Sequence, residues 1–147
     1  MRFVLNDGGR AEAGYLGQPR DCVTRSISIA TGKPYQEVYD ALNLLAASER
    51  TGPPKKKRSN SRTGVYRTSY ERYLLSLGWR WTPTMTIGSG CKVHLCESEP
   101  PPGKLVVRVS KHVTAVIDGV LHDTHDCSRR GTRCVYGYFS KPIELPK

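Results

Sequence analysis

No apolar run in this chain approaches the roughly 20 residues that a membrane-spanning helix needs. No early segment is apolar enough for the core of a secretory signal. A cytoplasmic protein with no membrane partner is the expectation. Paired C-x₂-C spacing is missing as well, so the clusters Cys91–Cys96 and His122–Cys127 do not match a zinc ribbon, and no metal site is expected. The five cysteines (Cys22, Cys91, Cys96, Cys127 and Cys134) are odd in number and come without a secretory signal, which favours free thiols over a disulfide framework. Gly88-Ser89-Gly90-Cys91 is too short and ill-placed for a phosphate loop or a dinucleotide fingerprint. No internal repeat is visible.

Carboxylates are scarce. Thirteen Asp and Glu stand against 23 Lys and Arg in 147 residues, a formal net charge of +10. Residues 54–72 supply six of those ten charges, with seven cations against the single Glu71. Such a cluster draws phosphates or acidic partners through its long-range field. Lys55, Lys56, Lys57 and Arg58 are the candidate nucleic-acid contacts, in a loop at about 49–64 rich in Gly, Pro, Ser and Asn. A solvated basic loop is the plainer reading, and the match of Pro53–Arg58 to a nuclear-localisation pattern is taken as coincidence. The aromatics Tyr66, Tyr70, Tyr73, Trp79 and Trp81, interleaved with arginines, fit packing better than base stacking.

A chain of this length suits one domain, 1–147, with a substantial core. Met1–Leu5 reads as a first strand. Asp21 is placed to cap a helix from Cys22 to about Thr31, with Gly32 as its stop and Val23, Ile27 and Ala30 on one face. Pro34 opens a second helix whose apolar stripe is Val38, Leu42 and Leu45. Thr68 or Ser69 caps a third, Tyr70 to Leu77. Beyond it the period changes to that of strands: Trp79–Met85, Lys104–Ser110, a hairpin over His112–Asp123, and Cys134–Phe139 closing the sheet. Helices first and an antiparallel sheet second make an α+β fold.

Two local features carry chemistry. A cysteine is nucleophilic only as thiolate, and the unpaired N–H groups and positive dipole at a helix start stabilise that anion. Cys22 holds such a position. Downstream, Asp118-Gly119 between Ile117 and Val120 is the preferred pair of a two-residue type I′ turn. That turn sets Ile117 opposite Val120, Val116 opposite Leu121, Thr114 opposite Asp123 and His112 opposite His125. His112, Thr114, Asp123 and His125 then share a face, with His112 and Asp123 diagonal neighbours roughly 7–8 Å apart at Cα. Either His112 or His125 can serve as the base.

Together Gln18, Cys22, His112 and Asp123 resemble the papain-like cysteine peptidases, especially small bacterial and phage-type members, in the order thiol, His, Asp. Asp21–Arg25 and Gly119–Thr124 are similar to stretches of phage and prophage proteins. The resemblance implies a papain-like domain and a hydrolase of peptide, isopeptide or amide bonds that needs no cofactor. It makes Cys22 the nucleophile, His112 the base, Asp123 the orienting group and Gln18 an oxyanion donor beside the Cys22 backbone N–H. Val23-Thr24-Arg25 replaces the Gly-Ser-Cys-Trp signature of papain, and Gln18 lies closer to the thiol than is usual there. The reading from another class is a non-enzymatic basic module that binds nucleic acid or protein.

Overall fold

The computed structural model describes residues 1–49 and 57–142. Among them the elements run β1 (Arg2–Leu5), α1 (Cys22–Thr31), α2 (Tyr35–Ala46), α3 (Arg67–Ser76), β2 (Arg80–Pro83), β3 (Lys104–Val109), β4 (His112–Ile117), β5 (Val120–Asp123) and β6 (Gly137–Ser140). The fold is α+β, with one six-stranded sheet in the order β1-β5-β4-β3-β6-β2. No helix among the described residues is long and apolar enough to cross a membrane.

The Asp-Gly turn forms as expected: Asp118 and Gly119 have φ of 48° and 77°, the left-handed pair a type I′ turn requires. Its register follows, with Ile117 beside Val120, Val116 beside Leu121 and Ala115 beside His122. Two strand expectations are corrected. The sheet is not wholly antiparallel, because β1 runs parallel to β5, pairing Leu5 with Asp123. A parallel pair needs a long crossover, and the connection from β1 to β5 holds all three helices as well as β2, β3 and β4. The last strand starts at Gly137 instead of Cys134 and lies inside the sheet, between β3 and β2.

α1 is held on the sheet by its apolar face. Val23, Ile27 and Ala30 are buried with Val38 and Leu42 of α2, Tyr70 and Leu74 of α3, and Val106, Val113 and Phe139 of the sheet. Ser26 Oγ donates to the Val113 carbonyl at 3.0 Å, fixing α1 along β4. Gly32 ends the helix in the left-handed conformation, its N–H on the Ser28 carbonyl. The strand residues of opposite parity, including Leu105, Val107, Val109, Val116 and Leu121, form a second cluster with Leu95, Cys127 and Val135.

Three further expectations fail for identifiable reasons. Asp21 makes no side-chain cap on α1, because its carboxylate is taken by Arg25 and its neighbours. α3 begins at Arg67 after Tyr66, without a Thr68 or Ser69 cap; the Ser69 hydroxyl goes to Glu49 Oε2 at 2.6 Å instead. The cysteines are not all free. Cys91 and Cys134 form a disulfide, their Cα atoms 5.8 Å apart. Backbone bonds from Leu95 to Arg133 and from Val135 to Val93 lay the two segments side by side and bring these cysteines together. Cys22, Cys96 and Cys127 remain as thiols.

Candidate active site

Three element ends meet at one place. Cys22 is the first residue of α1, His112 the first of β4 and Asp123 the last of β5. His112 Nε2 donates to Asp123 Oδ2 at 2.7 Å, and Cys22 and His112 line one groove, near enough for each to shift the titration of the other. The thiol lies on a groove of about 300 Å³ lined also by Val65, Tyr70, Arg108 and His112. The two-stranded register thus delivers the His–Asp contact that the sequence implied, and the helix start delivers the thiol.

Asp123 is held far more tightly than a simple orienting carboxylate requires. Its Oδ2 also accepts from the Thr114 hydroxyl at 2.7 Å. Its Oδ1 accepts from the Thr124 backbone N–H at 2.7 Å and from Arg25 Nη1 at 2.8 Å. Arg25 is only 2% exposed, and its Nε donates to Asp21 Oδ1 at 2.8 Å. The other oxygen of Asp21 accepts from the Tyr35 hydroxyl and lies 3.1 Å from Arg10 Nε, an ion pair by distance without an aligned hydrogen bond. A line of charge therefore runs Asp21–Arg25–Asp123, all three buried, to the half-buried His112 and Cys22. A charge buried this deeply is sustained only when it is paired and its hydrogen bonds are satisfied.

The electrostatics follow from that line. Burial opposes ionisation of the Cys22 thiol, but the hydrogen bond and charge of His112, the Val113 backbone N–H and Arg25 outweigh it, leaving the thiol below its ordinary value. Burial likewise pulls His112 down. The Asp123 bond, Cys127 and Cys22 prevail and hold the imidazole far above its usual range, at about 11. Asp123 resists burial through His112, Thr114 and Thr124 and ends well below the normal carboxylate range. Both shifts run in the direction that favours a thiolate beside an imidazolium.

Of the other expected residues, His125 lies beside His112, the rings tilted with centroids 5.3 Å apart. It is exposed, and Asp123 takes His112 as its partner and not His125. Gln18 is exposed in the loop before α1 and does not line the groove at Cys22. Lys55 and Lys56 lie outside the described residues, while Lys57 and Arg58 are exposed. Ligand atoms of His112, Asp123 and Cys127 fall within 4.8 Å of one another, but the Asp123 oxygens are already committed to Arg25, His112, Thr114 and Thr124. Sequence reasoning missed Arg25, Arg10 and Tyr35. The only local trace was Arg25 four residues after Asp21, a spacing usually seen on solvated helix surfaces. No family model, no curated protein and no solved structure matches the chain.

Proposed function

We propose that the chain is a thiol-dependent hydrolase of papain-like type, cleaving a peptide, isopeptide or amide bond with Cys22, His112 and Asp123. One observation carries the reading: a thiol at a helix start shares a groove with an imidazole whose Nε2 is bonded to a buried carboxylate. With Nε2 committed to Asp123, Nδ1 is the ring nitrogen that exchanges a proton with sulfur and substrate. The thiolate attacks the carbonyl carbon, and the Cys22 backbone N–H at the start of α1 faces the developing oxyanion. As the C–N bond breaks, the imidazolium gives its proton to the leaving amine, and a thioester remains. The neutral imidazole then takes a proton from water. The hydroxide adds to the thioester carbon, the acid is released, and thiolate and imidazolium are restored. The basic surface and the exposed Lys57 and Arg58 are compatible with this reading and do not supply its chemistry.

The test is thiol selectivity. Iodoacetamide at neutral pH should alkylate Cys22 at least tenfold faster than Cys96 or Cys127, read by peptide mass spectrometry. His112→Ala should remove the advantage. Equal labelling of Cys22 and Cys96 in the wild-type chain sinks the proposal.

A further inference from the structure

The groove at Cys22 borders a second cavity of about 430 Å³, and Arg67 and Arg108 line both. The two arginines therefore stand at the boundary between nucleophile and cavity. Neither guanidinium is free to wander. Arg67 lies over the Trp81 ring at 4.7 Å and Arg108 over the Tyr136 ring at 5.7 Å. Stacking fixes the plane of a guanidinium while leaving its N–H edge open to a planar anion. Arg67 has one carboxylate nearby, Glu71 at 3.6 Å on the solvent side of α3, both side chains substantially exposed. No ion pair is formed by Arg108 among the described residues. Tyr70, 4% exposed, lines the same groove as these two arginines and the thiol. Lys111 lines the same groove, so cations outnumber carboxylates along it. The cavity beyond is walled by Trp81, Met85 and Ile87, the last fully exposed.

Two stacked cations in one groove repel each other, and surface Glu71 offsets little of that. A ligand carboxylate placed between them relieves the repulsion and gains charge-assisted hydrogen bonds from both. The chain's net charge of +10 steers such ligands inward. We infer that this groove takes an acidic peptide, seating a substrate carboxylate between Arg67 and Arg108 close to the bond that Cys22 attacks, with an apolar side chain against Trp81 and Ile87. The inference rests on the thiol-hydrolase reading and narrows its substrate class. The carboxylate is either an Asp or Glu side chain or a free C-terminus, since both present the same planar anion.

Three thiol probes test it with the 147-residue chain: iodoacetyl-Glu-amide, iodoacetyl-Gln-amide and iodoacetyl-Gln with a free carboxylate. At low salt one or both acidic probes should alkylate Cys22 about tenfold faster than the neutral one, and the faster of the two identifies the source of the carboxylate. The ratio should shrink at 1 M salt, as screening of a partly exposed site demands. Arg108→Gln and, separately, Arg67→Gln should each pull the ratio towards one; Arg67 is exposed, so its variant tests the groove even if the strand residue proves necessary for folding. Equal rates for all three probes, or a ratio unmoved in a folded Arg67→Gln chain, overturns the acidic subsite while leaving Cys22 reactive. A single-stranded oligonucleotide that protects Cys22 while the probe ratio stays at one also overturns it, and assigns the groove to nucleic acid. Failure of every probe to favour Cys22 over Cys96 overturns the hydrolase reading itself.

Discussion

At Asp123 the two oxygens divide their partners, Oδ1 serving Arg25 and Thr124 and Oδ2 serving His112 and Thr114. One residue therefore sets the charge of the imidazole and anchors the buried arginine of α1. Asp123→Asn should lower the His112 pKa, weaken the thiolate–imidazolium pair and raise the pH midpoint of Cys22 alkylation, cutting its rate at pH 7 at least tenfold. It also leaves Arg25 with Asp21 as its remaining carboxylate, and removing one partner of a buried pair costs about 3–5 kcal/mol. Denaturant unfolding checks that cost. The pH dependence has a definite sign. The folded carboxyl of Asp123 lies below its ordinary 3.8, so its stabilisation is complete above that value and fades as the pH falls through the lower folded pKa. His112 is raised from 6.5 to about 11, so its share is complete below 6.5 and fades as the pH rises towards 11. Wild type and His112→Ala should differ most in melting temperature between these limits, and the gap should close on either side. A gap that widens at high pH contradicts the imidazolium.

Among the elements, the local ones were legible and the long-range ones were not. The Asp-Gly pair dictated its turn, and the turn dictated which β4 and β5 residues face each other. The helix beginning at Cys22 announced itself by the spacing of Val23, Ile27 and Ala30 and by Gly32. Arg25 went unmarked because its pairing with Asp21 looks the same in sequence whether that helix face meets solvent or β5; only the packing of α1 on the sheet buries it. β6 misled for a related reason. Its residues alternate like any strand, but its place beside β2 depends on Gly137, whose missing Cβ makes room for the Trp81 ring. A Cβ there would sit 2.4 Å from the ring and 2.8 Å from the Thr82 carbonyl. Gly137→Ala should therefore force Trp81 off Phe139 and cost about 1–3 kcal/mol by overpacking. Because Arg67 rests on that ring, the same variant should also reduce the acidic-probe preference. Near-ultraviolet circular dichroism and the probe ratio together check this; an unchanged ratio with a displaced Trp81 separates the arginine from its platform.

On the scale of the whole chain, the two hydrophobic clusters on opposite parities of the sheet are closed by different means. Three helices close the cluster that carries Cys22. The other is covered by the segments around Leu95 and Val135, which contain no helix or strand and are tied by the Cys91–Cys134 disulfide. Such a bond persists in oxidising surroundings, a condition that the expectation of a cytoplasmic protein did not include. The bridge spans 43 residues, and closing a loop of that size removes about 4 kcal/mol of chain entropy from the unfolded state. Reduction should therefore lower the melting temperature by several degrees or more. The thiol groove is built from the other cluster, so Cys22 alkylation measured well below the transition should change less than twofold. The double variant Cys91→Ser/Cys134→Ser should melt like the reduced wild type and show no further response to dithiothreitol. A double variant that still loses stability on reduction would place the redox-sensitive bond among Cys22, Cys96 and Cys127 instead, and peptide mapping without reductant would show which pair forms it.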